Sequence, residues 1–218
     1  MTGFDIRLYV VTDPALTPPE RMVGMALAAV RGGATLVQLR DKGATSDALY
    51  AQAVALRDAL APHGVPLVVN DRVDVAARAG IGVHVGIHDL PPTAARAELG
   101  PHAIVGWSIE DEGQLGDTEQ VTACSYLAAS PVWATATKGD TGPPLGPDGV
   151  AHLRRLTDLP LVGIGGISNV NRAAAVIAAG ADGVACVSAV FGAADPEAAA
   201  RELRLSVDST LAERSVIP

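Results

Sequence analysis

Residues 160–189 read PLVGIGGISNVNRAAAVIAAGADGVACVSA. Two short apolar, β-prone runs, 160–166 and 183–189, bracket an Ala-rich, helix-compatible stretch that starts at Asn169. Both runs are apolar almost throughout, which a strand needs when both of its faces are buried. A strand, a crossover helix and a second strand within thirty residues make one parallel βαβ unit.

The same pattern recurs towards the N-terminus. Further candidate strands lie at 7–12, 34–40, 66–71, 82–86, 103–108 and 124–132, and most of the intervals between strands are helix-compatible. In 19–31 the apolar positions Met22, Val23, Ala26, Leu27 and Val30 have helical spacing, and Gly32-Gly33 supplies a stop. The segment 46–61 behaves likewise ahead of His63-Gly64. Eight strand–helix units in 218 residues predict an α/β fold, a (β/α)8 TIM barrel, as one domain over 1–218. A doubly wound open sheet competes on periodicity alone. Residues 205–218 are left open as helix or loosely ordered tail.

Composition narrows the functions. A net charge of −8 without a basic stripe excludes nucleic acid as an expected partner. Small phosphorylated molecules remain compatible, because a few local cations and backbone N–H groups suffice to hold a phosphate. Cys124 and Cys186 sit far apart in apolar runs, as buried thiols of a reducing compartment do. Asp5 and Arg7 interrupt the start of the chain, and no apolar run approaches membrane-spanning length. The expectation is a cytoplasmic protein with no membrane partner; a homo-oligomer stays open.

A barrel delivers its chemistry from the C-terminal ends of its strands. In VQLRDK (37–42), alternation sends Gln38 and Arg40 to one side, and Lys42 follows if the chain stays extended. These groups suit a dianion; the plainer reading is a solvated strand end with ion pairs to Asp41 or Asp47. VVNDR (68–72) brings Asn70 and Asp71, and HDLP (88–91) brings Asp89. Two carboxylates beside two cations suit a Mg²⁺ ion bridging to phosphate oxygens. Helix-capping and turn roles are equally compatible with their spacing. Ser108 closes the fifth candidate strand, and SPVWATATKGD (130–140) offers Thr135, Thr137 and Lys138 in what reads as a mobile loop or lid. GIGGIS (163–168), with Gly165 and Gly166, and the amides of Val187 and Ser188 stand where this fold binds phosphate. His84 and His88, four apart along a strand, are roughly 13 Å apart at about 3.3 Å per residue, too far to share a zinc ion. His84 is expected to be hydrogen-bonded at the barrel end and His88 to be incidental.

VQLRDK, VNDRVDVA, GVHVG..DLP, TATKGD, IGGIS and GVACVSAVF, in this order from Leu8 to about Phe191, resemble the thiamine phosphate synthase family. The resemblance implies a Mg²⁺-dependent (β/α)8 transferase that couples hydroxymethylpyrimidine diphosphate to thiazole phosphate and releases diphosphate, by a dissociative route. It implies that Gln38 binds the pyrimidine with Ser108 nearby, that Arg40, Lys42, Asn70 and Lys138 hold the diphosphate, and that Asp71 and Asp89 ligate Mg²⁺. Thr135, Thr137, Gly166, Val187 and Ser188 would surround the thiazole phosphate. Arg40, Lys42, Ser108 and Lys138 would carry the chemistry.

The chain departs from the family pattern at Ile87, Ser130, Ala134 and Ile109-Glu110, positions that bear on lid geometry and substrate orientation. A thiazole tautomerase of the same superfamily would need an acid or base near the thiazole, a part Glu110 could take. A non-catalytic phosphate-binding relative would bind without turnover. The Asn70-Asp71 pair and the two threonines with Lys138 favour the transferase.

Overall fold

The computed structural model describes residues 3–135 and 142–215. Among them eight parallel strands pair in chain order: β1 (Leu8–Val11), β2 (Leu36–Leu39), β3 (Leu67–Asn70), β4 (Gly82–Val85), β5 (Val105–Ile109), β6 (Tyr126–Ala129), β7 (Leu161–Ile164) and β8 (Gly183–Cys186). Tyr9 pairs with Ala185, so β8 closes onto β1 and the sheet is a barrel, not an open doubly wound sheet. Each candidate run coincides with one strand, β5 ending one residue past its run at Ile109.

Among the described residues nine α-helices accompany them: α1 (Pro19–Arg31), α2 (Ser46–Leu60), α3 (Val73–Ala79), α4 (Pro92–Leu99), α5 (Thr118–Ala123), α6 (Gly146–Arg154), α7 (Val170–Ala178), α8 (Ser188–Phe191) and α9 (Pro196–Arg214). α1 and α2 match the sequence expectation, and Gly64 ends the turn after α2 in the left-handed conformation at φ 65°. Among the described residues no helix is long and apolar enough to cross a membrane.

Strand alternation makes two cores. Leu8, Val10, Val37, Leu39, Val69, Val83, Leu127 and Leu161 point outward and pack under the helices. Tyr9, Val11, Leu36, Val68, Tyr126, Ala128, Val162 and Ala185 fill the barrel interior. Tyr9 and Tyr126 are fully buried and meet edge to face with ring centroids 5.8 Å apart. With Gln38, His84 and Ser108 above them, they form the floor of a cup that opens at the C-terminal ends of the strands.

Two expectations change. The eighth strand was expected to reach 189, but it ends at Cys186. The N–H groups of Phe191 and Gly192 donate back to the carbonyls of Val187 and Ser188, at 2.9 and 3.0 Å, and wind these residues into α8. Residues 205–214, left open as helix or loose tail, continue α9. Leu203 and Val207 are buried beneath it. Arg214 donates to the carbonyls of Ile177 and Ala181 at 2.9 and 2.7 Å, and Arg204 to that of Gly33 at 2.9 Å. These bonds tie the last helix to the ends of α7 and α1.

Gly106 on β5 faces the floor, and a methyl group there would overlap the Tyr126 ring. Overpacking of this kind costs about 1–3 kcal/mol and sometimes more. Gly106→Ala is therefore expected to lower stability by at least about 3 kcal/mol, because Tyr126 is closed in on every side. Urea unfolding followed by circular dichroism checks this; an unchanged midpoint would mean the floor can shift freely.

Candidate active site

The open end of the barrel holds a cavity of about 1120 Å³, its opening to solvent included. It is lined by Gln38, Arg40, Lys42, Asn70, Asp71, Asp89, Ser108, Thr135, Gly166, Val187 and Ser188. Every described residue nominated from the sequence thus lies in one space. Thr137 and Lys138 lie outside the described residues.

Arg40 leaves the end of β2 on the inward side. Its backbone N–H donates to Thr12 Oγ1 at 2.9 Å, and its guanidinium pairs with Asp13 at 3.5 Å, both groups coming from the loop after β1. The pairs to Asp41 or Asp47 considered from the sequence do not form: Asp41 accepts from the N–H groups of Gly43 and Ala44, and Asp47 pairs with Arg78. Lys42 also reaches the cavity by a route other than the expected one. The chain turns at Asp41–Ala44 instead of staying extended, and the turn brings Lys42 Nζ to 3.6 Å from Asp71 Oδ2.

Asp71 does not cap α3. It has a left-handed φ of 63°, a conformation Asp tolerates better than most residues, while Arg72 occupies the cap position without a side-chain capping bond. Asp89 closes its own turn by accepting from the Gly86 N–H at 2.7 Å. The two carboxyl groups meet across the β3–β4 edge. Burial pushes the Asp71 carboxyl up to about 6, and contact with the Asp89 carboxyl and its negative charge add to this; Lys42 and Asn70 pull the other way.

Folded Asp71 holds its proton more tightly than the unfolded chain does. Without metal, the stability this confers is present below about pH 4 and is lost as pH rises to about 6. Asp89→Asn removes the second charge but leaves the burial, which is the larger cause. The Asp71 pKa is expected to fall below about 6 without reaching 3.8, and a carboxyl ¹³C titration by NMR reads this directly. No movement would show that the two groups do not interact.

The floor of the cup is hydrogen-bonded. His84 Nδ1 lies 2.9 Å from Tyr126 Oη, and His84 Nε2 lies 3.0 Å from Ser108 Oγ. Tyr126 Oη is 3.0 Å from Tyr9 Oη, which also bonds Gln38 Nε2. His84 is therefore the hydrogen-bonded barrel-end group expected, and His88 stands exposed on the cavity rim. Sequence reasoning passed over Tyr9 and Tyr126, because a tyrosine inside an apolar run carries no mark that distinguishes floor from core.

The opposite wall is backbone. Gly165 and Gly166 have φ of 98° and 66° and bring the chain close to Pro131 and Trp133. Arg172 from α7 donates to the Gly166 carbonyl at 2.5 Å and lies over the Trp133 ring, 4.9 Å from its centroid. Trp133 N–H donates to the Gly165 carbonyl at 3.1 Å, while Leu145 and Gly146 N–H groups return to the carbonyls of Pro131 and Val132 at 2.9 Å each. Both ends of the β6–α6 loop are thus fastened beside the glycines. Glu110 accepts from the Gly142 N–H at 3.1 Å through Oε2, and its buried Oε1 has no partner among the described residues.

The sequence model of the thiamine monophosphate synthase family matches residues 8–190. A thiamine-phosphate synthase of Xanthobacter autotrophicus is 50% identical over 205 residues, 94% of this chain and 96% of that protein. One from Albidiferax ferrireducens is 47% identical over 205 residues, 94% and 93% of the respective lengths. A solved thiamine phosphate pyrophosphorylase from Pyrococcus furiosus superposes with a TM-score of 0.84 at 34% identity, covering 94% of this chain and 97% of that one.

Proposed function

The chain belongs to the thiamine monophosphate synthase family, and on that premise we propose how its barrel mouth joins a pyrimidine to a thiazole. The observation that carries the reading is the division of one cavity into three parts. Arg40 and Lys42 stand with two carboxylates on the β2–β4 side, left-handed glycines stand on the β7 side, and a hydrogen-bonded polar floor lies between them.

In this reading the substrates are 4-amino-2-methyl-5-hydroxymethylpyrimidine diphosphate and 4-methyl-5-(2-phosphoethyl)thiazole or its carboxylated form. Gln38 and Ser108 orient the pyrimidine, and Arg40, Lys42, Asn70 and Lys138 hold its diphosphate. Gly166, Val187, Ser188, Thr135 and Thr137 take the thiazole phosphate. The bond from the pyrimidine methylene to diphosphate oxygen breaks with its electron pair leaving on oxygen. The thiazole nitrogen then forms the new bond to carbon. Arg40 and Lys42 lower the barrier by meeting charge as it develops on the leaving group, and the glycine wall aligns the nucleophile. The chemistry needs no protein nucleophile.

Asp71 and Asp89 fit a Mg²⁺ ion. The two carboxyl groups lie in contact across the β3–β4 edge, beside Lys42 and Asn70, and both line the cavity. No group of three or more His, Cys, Asp or Glu able to hold a metal gathers among the described residues. Two carboxylates plus substrate oxygens and water suit Mg²⁺, which keeps several of its waters. When bound, the ion would neutralise the departing diphosphate. The cytoplasm suits this reading, since both cysteines are buried and unpaired, with thiols pushed up to about 12 by burial.

The test is diphosphate release from purified protein. Release is expected only with both heterocycles and Mg²⁺ present. Thiazole phosphate binding without release would turn the reading to the isomerase or to a binding protein.

A further inference from the structure

Three consecutive peptide carbonyls at the end of β7 are each held by a donor from the β6–α6 loop or α7. The Ile164 carbonyl accepts from the Val132 N–H at 2.8 Å and that of Gly165 from the Trp133 N–H at 3.1 Å. The Gly166 carbonyl accepts from the Arg172 guanidinium at 2.5 Å. An extended strand turns successive carbonyls to alternate sides. The left-handed φ of 98° at Gly165 and 66° at Gly166 breaks that alternation, so all three can face these donors.

In a trans peptide the N–H points opposite to the carbonyl. The N–H groups of Gly165, Gly166 and Ile167 are therefore turned away from the loop and from α7, towards the cavity that all three residues line. A run of N–H groups on one side makes a concavity for an anion. Two of the donors that fix this run are backbone, and Arg172 supplies the third from a side chain. Arg172 is partly buried on the first turn of α7 and is not one of the described residues that line the cavity. Its own N–H donates to the Asn169 cap at 3.0 Å, and its guanidinium lies over the Trp133 ring, 4.9 Å from the centroid. Its route to the cavity runs through the 166–167 peptide. A cation on the carbonyl oxygen draws electron density through the amide and makes the N–H at its far end a stronger donor.

We propose that Arg172 is a positioning residue for the phosphate of the second substrate: by holding the Gly166 carbonyl it aims and polarises the 166–167 peptide, so that the Ile167 N–H donates to that phosphate. The positive charge of Arg172 is thus felt at the ligand without contact, and Ile167 joins Gly166, Val187 and Ser188 among the groups facing it. Which molecule carries the phosphate rests on the transferase reading; the aim of the amide does not.

The test labels the full chain with ¹⁵N-isoleucine and titrates it with inorganic phosphate, the Ile167 amide being assigned by its loss in Ile167→Val. In the wild type this resonance is expected to move downfield as phosphate saturates, as an N–H does when it donates to an anion. Arg172→Met keeps an unbranched stem and removes the charge and the donors. It is expected to weaken phosphate binding read at Ile167 by about tenfold, the scale of one charge-assisted hydrogen bond. Arg172→Lys keeps the charge and a donor without the planar fork, and is expected to recover most of the loss. An Ile167 resonance that phosphate does not move, or Arg172→Met binding phosphate as tightly as wild type, overturns the proposal. Arg172→Lys as weak as Arg172→Met also overturns it, since residue 172 would then serve packing alone.

The second readout is kinetic. Arg172→Met is expected to raise the thiazole phosphate KM by about tenfold, with kcat and the pyrimidine diphosphate KM changed by less than about twofold. Equal rises in both KM values would assign Arg172 to the fold of the whole mouth and overturn its role at one phosphate. Absence of diphosphate release from the wild-type protein would instead overturn the transferase reading and leave the phosphate titration standing.

Discussion

Replacing both carboxylates, Asp71→Asn with Asp89→Asn, is expected to lower Mg²⁺-dependent diphosphate release by about 10³-fold or more and at the same time to make the metal-free protein more stable. The loss equals about 4 kcal/mol of transition-state stabilisation at 1.36 kcal/mol per factor of ten, a reasonable share for a metal neutralising a leaving diphosphate. The gain in stability comes from the same pair. Burial and the Asp89 charge both oppose ionisation of Asp71, which holds its proton up to about pH 6. Neutral amides remove that opposition above about pH 6. Asparagine keeps the side-chain shape and tolerates the left-handed φ of 63° at residue 71. A gain of about 1 kcal/mol would raise Tm by about 2–4 °C in a chain of this size. Release assays and thermal unfolding at pH 7.5 in chelator test both halves. A variant that is less stable and still active would show that the carboxylates serve the fold and not a metal.

Gly166→Ala is expected to raise the KM for thiazole phosphate by about tenfold to a hundredfold, which corresponds to about 1.4–2.8 kcal/mol, with the pyrimidine diphosphate KM changed by less than about twofold. Residue 166 has φ of 66°, and an added Cβ would lie 2.7 Å from Trp133 Cβ and 3.0 Å from the Ala134 carbonyl oxygen. Neither neighbour is free to give way. Trp133 is held under Arg172, and its N–H is bonded to the Gly165 carbonyl. The loop itself must move, and its backbone N–H groups lose their aim at the phosphate. The strain should also cost about 1–2 kcal/mol of stability. Initial rates with each substrate varied in turn measure the split; equal rises in both KM values would show that this loop is not a dedicated thiazole phosphate cradle.

Much of the candidate site could be read from local spacing. Gln38, Asn70, Ser108 and Gly166 lie at or near the C-terminal ends of apolar runs, and a barrel sends such positions to one rim. Lys42 was placed correctly for a reason that did not hold, since a turn and not an extended strand carries it to Asp71. Val187 and Ser188 were expected on a strand and lie instead at the turn into α8. Thr12 and Asp13, which fix Arg40, gave no signal, because nothing local marks the loop after β1 as a neighbour of the end of β2.

The sequence by itself determined the number and order of strands, the parallel sheet and the set of polar groups at the strand ends, because these follow from alternation and helical period over a few residues. Eight units already predicted a closed barrel, and the pairing of β8 with β1 bore this out against the open sheet. The contact between Asp71 and Asp89 and the hydrogen bonds linking Gln38 to Ser108 were decided only by the tertiary structure. Tyr9 and Tyr126 meet across 117 positions of sequence. Such a contact depends on strand register around the whole barrel, which no local stretch of sequence sets.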